Sequence, residues 1–306
     1  MTTAAQKTIC IFNPEHDLCL ANGDRHYVPP MSALSFSRSA APLMKALYPD
    51  ASCFASCDIP MFDSLGIDNA AIVPWGWNKM IKEQLSKLGF PIESMPSDET
   101  LAHWRRLQHR STLLPMQPAC RAATCTKDAE QMILQHHDIV MKAPWSGSGR
   151  GIRWVSGALS EHDILWMHKI IRSQECVILE PRCRVAENFA LEYQISNGGI
   201  TLIGYSLFNS SSGVYQGNIL FPDNQIQERV HFNDIERREL EEWLLTNIAP
   251  FYQGPLGVDY LLDDKGNHHL CELNLRHTMG LVAHEYLRRH PDSMGSIFSP
   301  TPGKAF

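Results

Sequence analysis

An α+β fold that begins with a small parallel-sheet α/β lobe is predicted by three stretches of this sequence. Over residues 1–100 short apolar strands alternate with helical segments, the pattern of a parallel sheet with crossover helices. Residues 189–220 alternate apolar and polar side chains, as antiparallel strands with one covered face do. Near the C-terminal end, apolar runs at 257–262 and 268–276 flank the charged turn Asp263-Asp264-Lys265-Gly266-Asn267, which reads as a β-hairpin.

The bulk properties narrow the class. A chain of 306 residues that is 44% hydrophobic can bury a sizeable core and is expected to fold as two or three lobes. A net charge of −6 gives no global basic field, so nucleic acid is not an expected partner. Nine scattered cysteines, an odd number, together with no signal-peptide pattern, point to free thiols in a reducing cytoplasm. Cys53 and Cys57 have no second pair at zinc-ligand spacing and read as core packing. No apolar run reaches the roughly 18 residues of a membrane span. The sequence has neither internal repeats nor low-complexity tracts.

In chain order, residues 7–12 form a buried-type strand that runs into Asn13-Pro14-Glu15-His16-Asp17. Open α/β sheets hold ligands at the carboxyl ends of their strands, so Glu15, His16 and Asp17 are candidates for substrate contact; turn and capping chemistry explains them equally well. Residues 33–47 have helical spacing, 52–55 and 70–74 read as strands, and 79–88 as a helix stopped by Gly89. No G-x-G-x-x-G occurs, so a dinucleotide is not indicated. Residues 98–114 are helical in pattern, with Arg105, Arg106 and Arg110 read as a solvated face, and Pro115 and Pro118 mark a break. Further strands are expected at 176–181, 189–195, 200–208 and 214–220. Asn233 then caps a helix reaching 248, with Ile235, Leu240, Trp243, Leu244 and Ile248 on its apolar side.

Two stretches carry chemistry. The strand 138–142 ends in Lys142 and is followed by Trp145-Ser146-Gly147-Ser148-Gly149-Arg150-Gly151. Small residues let backbone N–H groups approach phosphate oxygens while the lysine supplies charge; a flexible hairpin tip has the same composition. In the hairpin, 272, 274 and 276 share parity, so Glu272, Asn274 and Arg276 stand in one row on a strand, with Asp259 across from them. Carboxylates and an amide carbonyl are hard oxygen ligands suited to Mg²⁺ or Mn²⁺. A guanidinium beside them can hold an anionic group.

Taken in this order, MKAPWSGSGRG, VILEP and GVDYLL followed by CELNLR resemble the ATP-grasp superfamily across residues 105–280. The Asp-to-Glu-to-Asn spacing is similar to that of D-alanine:D-alanine ligase, and the arginine two beyond the Asn to that of biotin carboxylase. The resemblance implies two α+β lobes gripping ATP, with boundaries at 1–112, 113–184 and 185–306. It implies that Lys142 touches the α- and β-phosphates and that the loop Ser146, Gly147, Ser148, Gly149 and Gly151 closes over the triphosphate. Glu180 would open the adenine-lining segment, with Pro181, Arg182 and Cys183 offering backbone groups, and Glu187 would bind ribose hydroxyls. Asp259, Glu272 and Asn274 would hold two Mg²⁺ ions, Arg276 would face the reacting group, and Arg110 would stand in for the lysine that enters the ATP lobe.

The implied function is ATP-dependent joining of a carboxylate to an amine or thiol through an acyl phosphate, releasing ADP and phosphate. The same fold also serves phosphotransfer to an alcohol or a catalytically silent ATP-binding module. A homodimer is common for this class. The first lobe and the segment with His277, Thr278 and His284 are expected to shape the substrate pocket. Two departures stand out: Gly257 replaces the arginine that D-alanine-type ligases carry two residues before the metal aspartate, and no lysine occurs between 200 and 235.

Overall fold

The computed structural model describes residues 7–59, 70–147, 151–211 and 213–300. In the first lobe, β1 (Thr8–Phe12) leads into α1 (His16–Asn22) and α2 (Met31–Ala40). Then come β2 (Ser52–Ala55), β3 (Ala71–Pro74), α3 (Lys79–Lys87) and α4 (Asp98–Leu107). β1 pairs in parallel with both neighbours, in the order β2-β1-β3. Ile9 and Ile11 pack under Met80, Ile81 and Leu85 of α3, whereas Cys10 and Phe12 face Ala40 and Met44. The helix expected over 33–47 is α-helical only to Ala40. It tightens into a 3₁₀ turn at Ala41–Ala46, where Pro42 has no N–H to give.

The arginines near the end of α4 do not form a solvated face. Arg105 lies 3.6 Å over the Trp145 ring and its Nε donates to the Leu20 carbonyl at 2.6 Å. Arg110 is buried, and Arg106 alone stays exposed. A guanidinium whose donors find carbonyls and a ring face can leave water, which charge by itself does not reveal.

The second lobe contains β4 (Arg121–Ala123), α5 (Thr126–His136), β5 (Asp138–Lys142), β6 (Ile152–Ser156), α6 (Glu161–Gln174) and β7 (Val177–Pro181). Its strands pair antiparallel in the order β4-β7-β5-β6. Met132, Met167 and Ile170 from the two helices close over Ile139, Met141 and Leu179.

The third lobe carries the largest sheet. It comprises β8 (Val185–Ser196), β9 (Gly199–Ser211), β10 (Val214–Ile219), α7 (Asp223–Val230), α8 (Asp234–Asn247), β11 (Gly254–Asp263), β12 (His268–Asn274), α9 (Met279–Arg289) and β13 (Ile297–Phe298). The order is β12-β11-β8-β9-β10-β13. Phe189, Leu191, Tyr193 and Ile195 on one face of β8 pack with Leu240, Leu244 and Ile248 of and after α8. Ala190 and Glu192 on the other face are buried too, so the central strand is covered on both sides rather than one. Asn233 caps α8 as expected, accepting from the Ile235 and Glu236 amides. Ile235 itself is 68% exposed and leaves the apolar stripe, because the first turn of α8 is held by its capping box rather than by packing.

Candidate active site

Register places the acids. In the β11–β12 hairpin Asp259 sits opposite Glu272 and Gly257 opposite Asn274, and Asn274 Nδ2 donates to Asp259 Oδ2 at 3.2 Å. β12 ends at Asn274. The Arg276 amide folds back on the Asn274 carbonyl at 2.9 Å, and its side chain reaches the same space. The expected row therefore arises from two strand positions and one turn. All four residues line a cavity of about 230 Å³, closed from the first lobe by Phe12, Asp17 and Trp75.

The two acids are compensated differently: Glu272 pairs with Arg110 at 2.9 Å, whereas Asp259 forms no ion pair among the described residues. Burial, then the neighbouring Glu272 and Glu192 carboxylates, push Asp259 up to about 8. Among the described residues no three His, Cys, Asp or Glu side chains gather as a metal cluster; the set is two carboxylates and an amide. Hard oxygen donors gathered on one wall, with two carboxylates side by side, fit Mg²⁺ or Mn²⁺.

The cations, by contrast, are all engaged. Arg276 forks onto Asp17, Nε to Oδ1 at 3.1 Å and Nη2 to Oδ2 at 2.9 Å. Burial works against the guanidinium charge, but Asp17 outweighs it and holds Arg276 above its ordinary value. Arg110 donates through Nη1 to the Ala143 carbonyl at 2.5 Å and Ser146 Oγ at 2.8 Å, and through Nη2 to the Ser146 carbonyl at 3.1 Å. Its Nη2 also pairs with Glu272 Oε2 at 2.9 Å. Lys142 Nζ lies 2.5 Å from Glu180; burial lowers its ammonium, Glu180 raises it, and the balance is above an ordinary lysine. One arginine thus ties the glycine-rich loop to β12.

The remaining predicted residues divide. In the loop, a Cβ on Gly147 would collide with the Asp17 carboxylate, so only glycine lets the loop approach the first lobe. Gly151 adopts φ +79° and its carbonyl accepts from the Ala143 amide at 2.8 Å. Ser148, Gly149 and Arg150 lie outside the described residues. Glu187 is paired with Arg229, 2.6 Å from Nε to Oε1, and that arginine is the basic residue in the stretch without lysine. The Arg182 amide already donates to the Asp138 carbonyl at 3.0 Å, which removes it from the donors offered to a base; Cys183 is half-buried.

Of the three candidates after β1, Asp17 alone lines the cavity. Glu15 and His16 are buried behind it, and burial pushes His16 down to about 4, leaving it neutral. Thr278 lines the cavity. His277 is clamped between the Trp75 carbonyl, 3.1 Å from Nδ1, and the Tyr48 hydroxyl, 2.9 Å from Nε2, and His284 pairs with Asp223 at 3.5 Å. Gly257 is explained by space: a Cβ there would lie 2.5 Å from Thr278 Cγ2 and 3.2 Å from Glu192 Oε2.

Glu192, Ser206, Phe36 and Trp75 also stand in the wall, and no motif in the sequence marks them. Glu192 occupies an ordinary polar position of an alternating strand, VAENFALEYQIS, so the sequence pattern does not single it out.

No protein-family model and no curated protein sequence matches the chain. Solved structures do. A biotin carboxylase from Campylobacter jejuni, in a β-γ-ATP complex, is similar over 92% of this chain and 68% of its own, with 16% identity and a TM-score of 0.56. An N5-carboxyaminoimidazole synthetase from Staphylococcus aureus, complexed with ADP, is similar over 92% and 76%, with 12% identity and a TM-score of 0.53. A D-alanyl-alanine synthetase A from Vibrio cholerae O1 biovar eltor is similar over 89% of each chain, with 13% identity and a TM-score of 0.50. The chain has the ATP-grasp fold, the class that its motifs implied.

Proposed function

We propose that this protein is an ATP-dependent ligase that joins a carboxylate to an amine through an acyl phosphate. A single observation carries the reading: Asp259, Glu272, Asn274 and Arg276 converge on one cavity wall, and Arg110 links that wall to the loop that follows Lys142. A lid of residues 113–184 and a metal-bearing lobe of 185–306 grip the nucleotide between them, behind a first lobe of 1–112.

Asp259, Glu272 and the Asn274 carbonyl would hold Mg²⁺, which when bound neutralises charge developing on the phosphates. Lys142 and the loop amides orient the triphosphate. Arg276, two residues past the ligands, faces the acid and the transferring phosphoryl group and takes the part that an arginine at 257 plays elsewhere. Substrate carboxylate oxygen bonds to the γ-phosphorus as ADP leaves; the neutral amine nitrogen then bonds to the acyl carbon as phosphate leaves, and the N–H proton passes to the departing phosphate. Positioning and fixed charge supply most of the rate, and no protein nucleophile takes part.

Heavy oxygen placed in the acid tests the route. It is expected in the released phosphate; ATP turnover without that transfer, or with a stable phosphorylated alcohol as product, overturns the proposal. A screen of small carboxylates and amines for ADP release identifies the substrates.

A further inference from the structure

Of the four acids lining the cavity, Asp259 and Glu272 are ligands of the proposed metal site and Asp17 is neutralised by Arg276. Glu192 is left over. It stands on β8, 1% exposed; burial raises its carboxyl above the ordinary value against the Thr278 and Ser206 hydroxyls, and the cations that act on it from a distance are committed elsewhere, Arg276 to Asp17 and His284 to Asp223. Among the described residues none forms an ion pair with it. Its oxygens are held by neutral hydroxyls instead: Ser206 Oγ donates to Oε1 at 3.0 Å and Thr278 Oγ1 to Oε2 at 2.6 Å.

The carboxylate lies against the first turn of α9. Thr278 is the N-cap of that helix, its Oγ1 also accepting from the Leu281 amide at 3.0 Å, and a Cβ on Gly280 would collide with Glu192 Oε1. A helix N-terminus attracts anions. Here the protein's own carboxylate fills that place, which denies it to a substrate carboxylate and turns this end of the wall acidic. Aromatic rings line the same cavity: half-buried Phe36 lies 5.9 Å from Phe12, which meets Trp75 edge to face at 4.8 Å between centroids, the last two rings mostly buried. Aromatic faces attract organic cations. An acid without a counter-ion and a wall of rings are complementary to the same chemistry.

Resting on the ligase reading, we propose that the amine component is a small organic ammonium with no carboxylate beside its nitrogen, docked on Glu192 against Phe12, Phe36 and Trp75. Glu192 is then the residue that selects the second substrate, and α9 holds it in place.

Calorimetric titration of the full chain, held with Mg²⁺ and a non-hydrolysable ATP analogue, tests this without turnover. The probes are n-butylamine, n-butanol of the same shape without charge, and norvaline, which adds a carboxylate beside the nitrogen. Butylamine is expected to bind at least about tenfold tighter than either. Glu192→Gln is expected to erase that preference while keeping both hydroxyl contacts, since the Ser206 hydroxyl can turn to accept from the amide. Undetectable butylamine binding, equal binding of butanol, tighter binding of norvaline, or an unchanged preference in Glu192→Gln overturns the proposal. If the variant does not fold, the wild-type probe series decides alone. Failure of the ligase reading shows separately, as no hydroxamate formed from any acid with ATP and hydroxylamine.

Discussion

The acids and the cations of the candidate site are built in opposite ways. Asp259, Glu272 and Asn274 come from one hairpin whose register fixes them. Arg110, Lys142 and Arg276 come from three separate segments, and each reaches its place by pairing with an acid from somewhere else in the chain. The acid set is local, and crowding with burial raises Asp259 to about 8; the cation set is assembled by tertiary contacts and is neutralised. The contrast teaches where a ligand must do work, relieving the first and releasing the second.

Removing an acid is the hardest blow to that arrangement. Glu272→Ala is expected to lower metal-dependent ADP release by at least about a hundredfold, measured at saturating Mg²⁺, and near-normal release would remove Glu272 from the metal site. Asp259→Asn is expected to be as damaging to activity and yet to stabilise the metal-free protein. The sign follows from the raised folded-state value: between an ordinary carboxylate and about 8 the folded chain holds a proton that the unfolded chain lacks. Stability from this group is therefore present below the ordinary carboxylate value and lost as pH rises toward 8. Thermal melts of both proteins across that window check it, with the gap widening toward the alkaline end.

Next in size come the cations. Arg110→Met frees the loop from β12, and a rise of about tenfold in KM for ATP is expected with a smaller change in kcat. A change confined to kcat would mean that Arg110 acts in the reaction rather than through the loop. Proton competition at Asp259 gives a subtler signature: apparent Mg²⁺ affinity should climb by up to about tenfold per pH unit until about pH 8, and a flat profile would show that the metal does not displace that proton. Smallest for activity is the pair on α8. Leu240→Ala, in a fully buried position, is expected to cost about 2–4 kcal/mol of stability, and Ile235→Ala less than about 0.5 kcal/mol, both read from denaturant unfolding with the substrate-binding side of the sheet untouched.

Legibility follows the same division. The hairpin was visible in the sequence because parity and a Gly266 turn specify it within some twenty residues, and the strand ending in Lys142 was visible for the same reason. The arginine run reads locally as a solvated face, and only the resemblance draws Arg110 to the site, because the partners of Arg105 and Arg110, which are Trp145, Ser146 and Glu272, lie far away in sequence. Glu192 was invisible as a site residue, since its meaning depends on Ser206, Thr278 and Gly280 coming together around it.

The sequence by itself determined the row of two carboxylates and an amide on the hairpin, the glycine-rich loop and the class of fold, because each is written in spacings short enough for local geometry to govern. Only the tertiary structure decided which cation each acid holds, why Gly257 has no room for a side chain, and which carboxylate in the cavity forms no ion pair among the described residues. Charge pairing and steric exclusion act across space, and in this chain their partners are separated by up to 259 residues.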